Sequence, residues 1–87
     1  MTVAELLAKE IEKRGWTQAE AAAEVGFHRV NLNMVLNGRL RLRPHRAMAL
    51  ERVFDIPAER WLTLQAEEDV RLMREKAGRP RRRARVG

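Results

Sequence analysis

The chain has 87 residues, with 18 Lys and Arg against 12 Asp and Glu and a formal net charge of +6, so it is long enough for one small domain with a single core. It contains no cysteine, which excludes a disulfide framework and a thiolate metal site and fits a reducing cytosol. Acidic residues interrupt the N-terminus and no long apolar run occurs, so we expect neither a signal peptide nor a membrane span.

The first predicted helix runs from about Val3 to Arg14. Val3, Leu7 and Ile11 recur at a spacing of four residues and form one apolar stripe, which indicates the face that packs on the core. Gly15 follows directly and is expected to end the helix.

A second, short helix is predicted at roughly residues 17–25. The segment Thr17-Gln18-Ala19-Glu20 matches the capping box, in which the Thr hydroxyl and the Glu carboxylate each accept a backbone N–H at the start of a helix. The helix is rich in alanine, which lets a neighbouring helix approach closely. Gly26 favours the left-handed conformation that stops a helix, and a third helix is expected to begin about two residues later.

The third helix has an apolar and a polar side. At about 100° per residue, Leu32, Val35 and Leu36 fall together and should face the core. The opposite face consists of Val30, Asn33, Met34 and Asn37, with Arg29 and Asn31 on its flanks.

The residues after the third helix change period. The stretch 39–43 alternates Arg and Leu, which predicts an extended segment. Pro44 suits the first position of a fourth helix, which should continue to about Asp55. A fifth and longer helix is predicted from Pro57 to Ala77.

These elements predict an all-α protein. Residues 1–77 should form one compact five-helix domain with an extended C-terminal helix, and residues 78–87 an Arg-rich flexible tail that is disordered when free. Five arginines lie in the tail, so the preceding residues carry thirteen basic against twelve acidic side chains. The domain as a whole is therefore nearly neutral, and its positive charge is concentrated in one part of the sequence.

One long segment contains no acidic residue. Between Glu24 and Glu51 the charged side chains are all basic, namely Arg29, Arg39, Arg41, Arg43 and Arg46. A cationic helix with amide side chains facing outward suits the phosphate-lined major groove of double-stranded DNA. We therefore expect the function to reside in this segment.

Two short helices joined by a three-residue turn that contains Gly form the helix-turn-helix unit, here at about residues 17–37. The capping box, Ala22, Gly26, Leu32 and Asn37-Gly38 together resemble the phage-repressor-like (Xre) helix-turn-helix family, over about residues 2–55. The segment 54–66, with Trp61-Leu62-Thr63-Leu64-Gln65, resembles the end of the HigA (VapI-like) antitoxin subgroup. It departs from that subgroup at Thr63, where Asn is usual, and at Glu68-Asp69, where an aromatic-Asp pair is usual.

The resemblance implies a division of roles. Contacts to base edges would come from the third helix, through His28, Arg29, Val30, Asn31, Asn33 and Met34. Contacts to backbone phosphates would come from the start of the second helix and the loop after the third, through Thr17, Gln18, Asn37, Arg39, Arg41 and Arg43. The first set would select the sequence, and the second would fix the position of the protein on the duplex.

The second half of the fifth helix carries an apolar stripe that a five-helix core does not need. Its members are Ala66, Val70, Met73 and Ala77. Burial of this stripe against a second copy would give a homodimer that reads a palindromic operator. We therefore expect a dimeric repressor in the bacterial cytoplasm, associated with the nucleoid when it is bound to DNA.

The antitoxin resemblance implies an RNase-type toxin as a further partner. Such a toxin needs a basic surface to bind RNA, so an acidic surface on this chain should dock it. Two acidic groups are available, on the first and fifth helices, and both are expected to lie away from the DNA-binding segment: Glu5, Glu10 and Glu12, and Glu67, Glu68 and Asp69.

An enzyme is not expected. Ser, Cys and Tyr are absent, no Gly-rich phosphate loop is present, and two histidines without cysteine do not suggest a metal site or a cofactor. Three other functions stay open: a stand-alone phage or plasmid regulator without a toxin, a protein-interaction module with the helix-turn-helix as scaffold, and RNA binding by the tail. Two local alternatives also stay open, since the arginines of 39–43 could simply be solvated, and Val30 and Met34 could belong to a minor core or a partner surface.

Overall fold

The structure, a computed structural model, describes residues 1–77. These residues form five α-helices: α1 Val3–Lys13, α2 Gln18–Val25, α3 Arg29–Leu36, α4 Pro44–Phe54 and α5 Ala58–Ala77. No strand occurs in this part of the chain. The predicted all-α, five-helix architecture with a long C-terminal helix is confirmed, and the helix boundaries agree to within about one residue. The predicted tail, residues 78–87, lies outside the described residues, and the domain boundary at residue 77 stays a prediction.

Capping boxes begin both of the first two helices. The Thr17 hydroxyl accepts the Glu20 N–H at 3.1 Å, and the Glu20 carboxylate accepts the Thr17 N–H at 2.8 Å. Thr2 and Glu5 make the same pair of bonds at the start of α1, with the same two distances. Each Thr cap contributes about 1 kcal/mol to helix stability. The Thr17 box was predicted from the sequence, and the Thr2 box was not.

The turn between α2 and α3 has the predicted length of three residues. Gly26 adopts a left-handed backbone, with φ 77°, and its N–H donates to the Ala22 carbonyl at 2.9 Å. His28 then caps α3, because its Nδ1 accepts the Val30 N–H at 3.3 Å. The turn therefore fixes the direction of α3 relative to α2.

All five helices contribute to one core. Leu7, Leu32, Leu50 and Trp61 are completely buried, and each such side chain stabilises the fold by about 1.5–3 kcal/mol. From α2 the buried residues include Ala21, whose small side chain allows α3 and α4 to pack close to α2. The helix-turn-helix unit is therefore held rigidly by the rest of the domain.

An aromatic cluster closes the end of the core near the C-terminus of α1. Phe54 lies 6.0 Å from Trp16 and 6.2 Å from Trp61, measured between ring centroids. The Arg14 guanidinium lies 4.8 Å from the Phe54 centroid and donates to the Glu10 carboxylate at 2.8 Å. That hydrogen bond lowers the pKa of Glu10 and outweighs the opposing effect of burial. Because Glu10 is only 7% exposed and is paired, its predicted place in an acidic docking surface is wrong.

The fully buried residues of α5 lie in its first half. The helix begins at Ala58, one residue after the predicted Pro57, and the Glu51 carboxylate accepts the Ala58 N–H at 2.8 Å. Its buried residues end at Leu64. Val70 and Met73 farther along are 46% and 64% exposed. None of the helices in residues 1–77 combines the length and apolar character needed to cross a membrane.

Candidate nucleic-acid interface

Helix α3 presents the predicted face to solvent. Leu32 and Val35 are buried at 0% and 2% exposure, and Leu36 is half-buried against the same core. Val30 is 57% exposed, so it does not belong to a minor core. The helical-wheel division of α3 is therefore confirmed for these residues.

A shallow groove runs between the start of α2 and the exposed face of α3. It is lined by Gln18, Arg29, Val30 and Asn33. Within residues 1–77 Arg29 makes no ion pair, so its guanidinium is available to an incoming acceptor. The groove thus brings one predicted phosphate contact next to three of the predicted base-reading residues.

Three amide side chains form a hydrogen-bonded chain across α2 and α3. Asn33 Nδ2 donates to Gln18 Oε1 at 3.2 Å, and Asn37 Nδ2 donates to Asn33 Oδ1 at 3.0 Å. Both ends of the Asn33 amide are therefore engaged within the protein. The amide still has a second N–H and a second oxygen lone pair with which to contact adenine, and the two internal bonds orient Gln18 and Asn37.

A second cleft lies between the α2–α3 turn and α4. His28 and Asn31 line it from one side, and basic residues of α4 line it from the other, namely His45, Arg46 and Arg52. The Arg46 guanidinium lies 5.8 Å from the centroid of the Phe27 ring. The predicted base-reading residues therefore divide between two concavities, and Met34 is half-buried. Sequence reasoning counted Arg46 among the basic residues of the segment but gave no α4 residue a contact role, although the spacing of His45 and Arg52 places them on one helical face.

The loop after α3 has the predicted alternation. Leu42 is buried at 3% exposure and Leu40 is half-buried, whereas Arg39, Arg41 and Arg43 are exposed. The loop starts against the end of α3, because the Met34 carbonyl accepts the Arg39 and Leu40 N–H groups at 2.8 and 3.2 Å.

The three loop arginines differ in their partners. Among the described residues, Arg39 and Arg43 have no ion-pair partner, but Arg41 donates to the Asp69 carboxylate of α5. The expectation that the acidic group on the fifth helix lies away from the basic segment is therefore wrong for Asp69. Thr17, also predicted to contact phosphate, is exposed, but its hydroxyl is engaged as the cap of α2.

Gln65 holds the same loop from α5. Its Oε1 accepts the Leu42 N–H at 2.5 Å, and its Nε2 donates to the Leu42 carbonyl at 2.8 Å. One side chain thus satisfies both backbone groups at the buried centre of the loop. Sequence reasoning used the surrounding motif only for its family resemblance and gave Gln65 no role of its own.

The two concavities and the loop offer amide and guanidinium donors with no acidic residue between Glu24 and Glu51. Such donors bind phosphate oxygens and the acceptor atoms of base edges. No group of three or more His, Asp or Glu in residues 1–77 is arranged to hold a metal ion. The arrangement therefore fits recognition of an anionic polymer.

Several solved structures are similar to this chain. An antitoxin called GraA has a TM-score of 0.83 and 26% identity, over 90% of this chain and 85% of that one. A hypothetical protein from E. coli has a TM-score of 0.75 and 27% identity, over 93% and 90%. An addiction module antidote protein of a HigA family from Coxiella burnetii, at 24% identity, shares the fold with a TM-score of 0.83 over 90% and 86%.

No curated protein matches the chain. The family model described as helix-turn-helix, HTH_3, matches residues 7–61, which include the whole of α2, the turn and α3. The Thr17 capping box, the left-handed Gly26 and the exposed face of α3 all lie within this match. The chain therefore belongs to the HTH_3 family of DNA-binding, Xre-like helix-turn-helix proteins.

Proposed function

We propose that this protein is a sequence-specific transcriptional repressor and the antitoxin of a toxin–antitoxin operon that it represses. It would read a palindromic operator as a homodimer, with α3 in the major groove. The observation that carries the proposal is the exposed face of α3, flanked by the exposed arginines of the loop within a segment free of acidic residues. This combination matches the polyanionic backbone and the donor and acceptor pattern of DNA.

The proposed roles follow from which side chains are exposed and able to contact DNA. Arg29 is exposed and unpaired among the described residues, and a guanidinium can bind guanine O6 and N7 together. Val30 can contact only a thymine methyl group. Gln18, Asn37 and the loop arginines surround this face and would bind phosphates, which positions α3 without selecting sequence.

The proposed dimer rests on the second half of α5. Val70 and Met73 are exposed there and line shallow apolar grooves together with Ala66 and Ala77. A second copy would bury these side chains. A two-fold arrangement would then set the two α3 helices about one turn of DNA apart, near 34 Å, as a palindromic site requires.

The antitoxin role is supported by the likeness to the antitoxin GraA over most of both chains. It implies an RNase-type toxin whose basic surface docks on acidic residues of this chain. Glu67 is exposed on α5 and Glu12 on α1, so each of the two helices keeps an exposed acidic residue that could dock such a toxin.

DNA binding is tested by fluorescence anisotropy with a duplex from upstream of the gene and a shuffled duplex of equal composition. Wild type should prefer the upstream duplex. Arg29→Ala should relax the preference at one base step by about 1–3 kcal/mol. Arg39→Ala is the matched control and should weaken both duplexes equally. Equal binding of both duplexes by wild type would contradict sequence-specific reading, and no binding would favour the scaffold-only interpretation.

The antitoxin role is tested with the product of the adjacent gene. Expressed alone it should inhibit growth, and co-expression with this protein should restore growth and yield a complex. Glu67→Lys should weaken the complex while operator affinity stays close to wild type, because Glu67 lies on the side of α5 away from the loop; Glu12→Lys shows whether α1 docks the toxin instead. If no neighbouring product inhibits growth, the protein is a stand-alone regulator.

A further inference from the structure

We propose that α5 controls the DNA-binding loop, residues 37–43, through two side chains. Gln65 is a positioning residue that holds the loop in shape for phosphate contact. Asp69 competes with DNA phosphate for Arg41 and so lowers affinity for DNA. The inference rests on the proposed DNA binding and adds to it two residues outside the helix-turn-helix.

The Gln65 contact fixes the middle of a segment that has no regular secondary structure. The Leu42 N–H and carbonyl are both bonded to the Gln65 amide, and the Leu42 side chain is buried. Because Leu42 is held by backbone and side chain alike, its neighbours Arg41 and Arg43 project into solvent. Loss of the amide would free the loop to adopt other conformations, in which fewer of its arginines would reach phosphate.

Of the three loop arginines, only Arg41 has an ion-pair partner among the described residues. The Arg41 and Asp69 side chains are 67% and 36% exposed, so water screens the pair and it adds little to fold stability. A phosphate offers Arg41 the same charge-assisted bonds as a carboxylate does. Arg41 thus has two alternative acceptors, and binding DNA requires it to exchange one for the other.

Asp69→Asn tests the competition between Asp69 and phosphate for Arg41. The amide keeps the shape of the carboxylate but removes the charge that attracts Arg41. We expect affinity for any duplex to rise by roughly 1.5- to fivefold per subunit, the equilibrium worth of one exposed ion pair. If Arg41 does not reach phosphate while it is paired, the slope of log affinity against log salt should also steepen, by about 0.9 per phosphate gained. The affinity gain should vanish in an Arg41→Ala background. Glu67→Gln removes a charge on the opposite side of α5 that has no ion-pair partner in residues 1–77, and its effect should not depend on Arg41.

Gln65→Leu tests the positioning role, with Ile11→Val as a control that weakens the core of α1. Both variants should lower the melting temperature. Only Gln65→Leu should also flatten the salt slope and weaken operator and shuffled duplexes alike, without change in oligomeric state. An unchanged slope for Gln65→Leu would make Gln65 merely structural.

A failure of this inference can be distinguished from a failure of the proposed function. A wild type without salt-dependent DNA binding would overturn the proposed function and this inference with it. A wild type that binds DNA, together with an Asp69→Asn variant of unchanged affinity or a gain that persists without Arg41, would overturn this inference alone.

Discussion

Operator affinity should fall steeply as the salt concentration rises. The number of loop arginines that contact phosphate should determine the slope. Gln18 and Asn37 are neutral and release no counterion, so the charge comes from Arg39 and Arg43, which are unpaired among the described residues. Four such arginines in a dimer give a slope of about −3.6, or about 150-fold weaker binding between about 50 and 200 mM salt. If Arg41 of each subunit also exchanges onto phosphate, the slope becomes about −5.4 and the loss about 1,800-fold.

The assay is anisotropy titration of the operator duplex at several salt concentrations. Arg39→Ala should make the slope shallower by about 1.8 for a dimer, since one phosphate contact is lost per subunit. Arg60→Ala removes an exposed charge of α5 outside the segment 25–50 and should leave the slope unchanged. A slope near zero, or equal slopes for the two variants, would refute the assignment of the loop to the DNA backbone.

Three further predictions concern assembly and stability. Val70→Glu with Met73→Glu should give monomers in sedimentation at micromolar concentration, because two charges cannot be buried in an apolar interface; a persistent dimer would place the interface elsewhere. Gly26→Ala should lower the free energy of unfolding by about 1–2 kcal/mol, since an added Cβ meets no neighbour and only the left-handed backbone is strained. The lowered pKa of Glu10 stabilises the fold above the ordinary carboxyl range and loses this effect as pH falls through the lowered value. Wild type should therefore exceed Glu10→Gln in melting temperature more at neutral pH than in strong acid, and equal differences would exclude the Arg14 bond as the cause.

The local features of the helix-turn-helix could be predicted because their causes lie within a few residues. The Thr17 box joins residues three apart, and a left-handed Gly26 stops a helix whatever lies beyond it. The period of α3 likewise separated Leu32 and Val35 from Val30 without knowledge of the neighbouring helices.

The contacts that shape the candidate site could not be predicted, because they join residues distant in the chain. Asn33 meets Gln18 across 15 residues, and Gln65 meets Leu42 across 23. A helical wheel shows which side of a helix a residue occupies, but not which residue of another helix it faces. The burial of Glu10 was missed although its partner Arg14 lies only four residues away, because a carboxylate in a helix is usually solvated.

Helix α5 carries both the residues proposed for the dimer interface and the residues that hold the loop. Gln65 and Asp69 are four residues apart and so share the face that holds the loop, and Asp69 also lines the exposed groove of Val70 and Met73. A second copy bound in this groove would therefore lie beside Asp69, whose pairing with Arg41 it could alter. Such coupling would act through Arg41, which has two alternative acceptors, the Asp69 carboxylate and a DNA phosphate. It requires no change within α3, whose side chains are already held by the core and by the amide chain from Gln18 to Asn37.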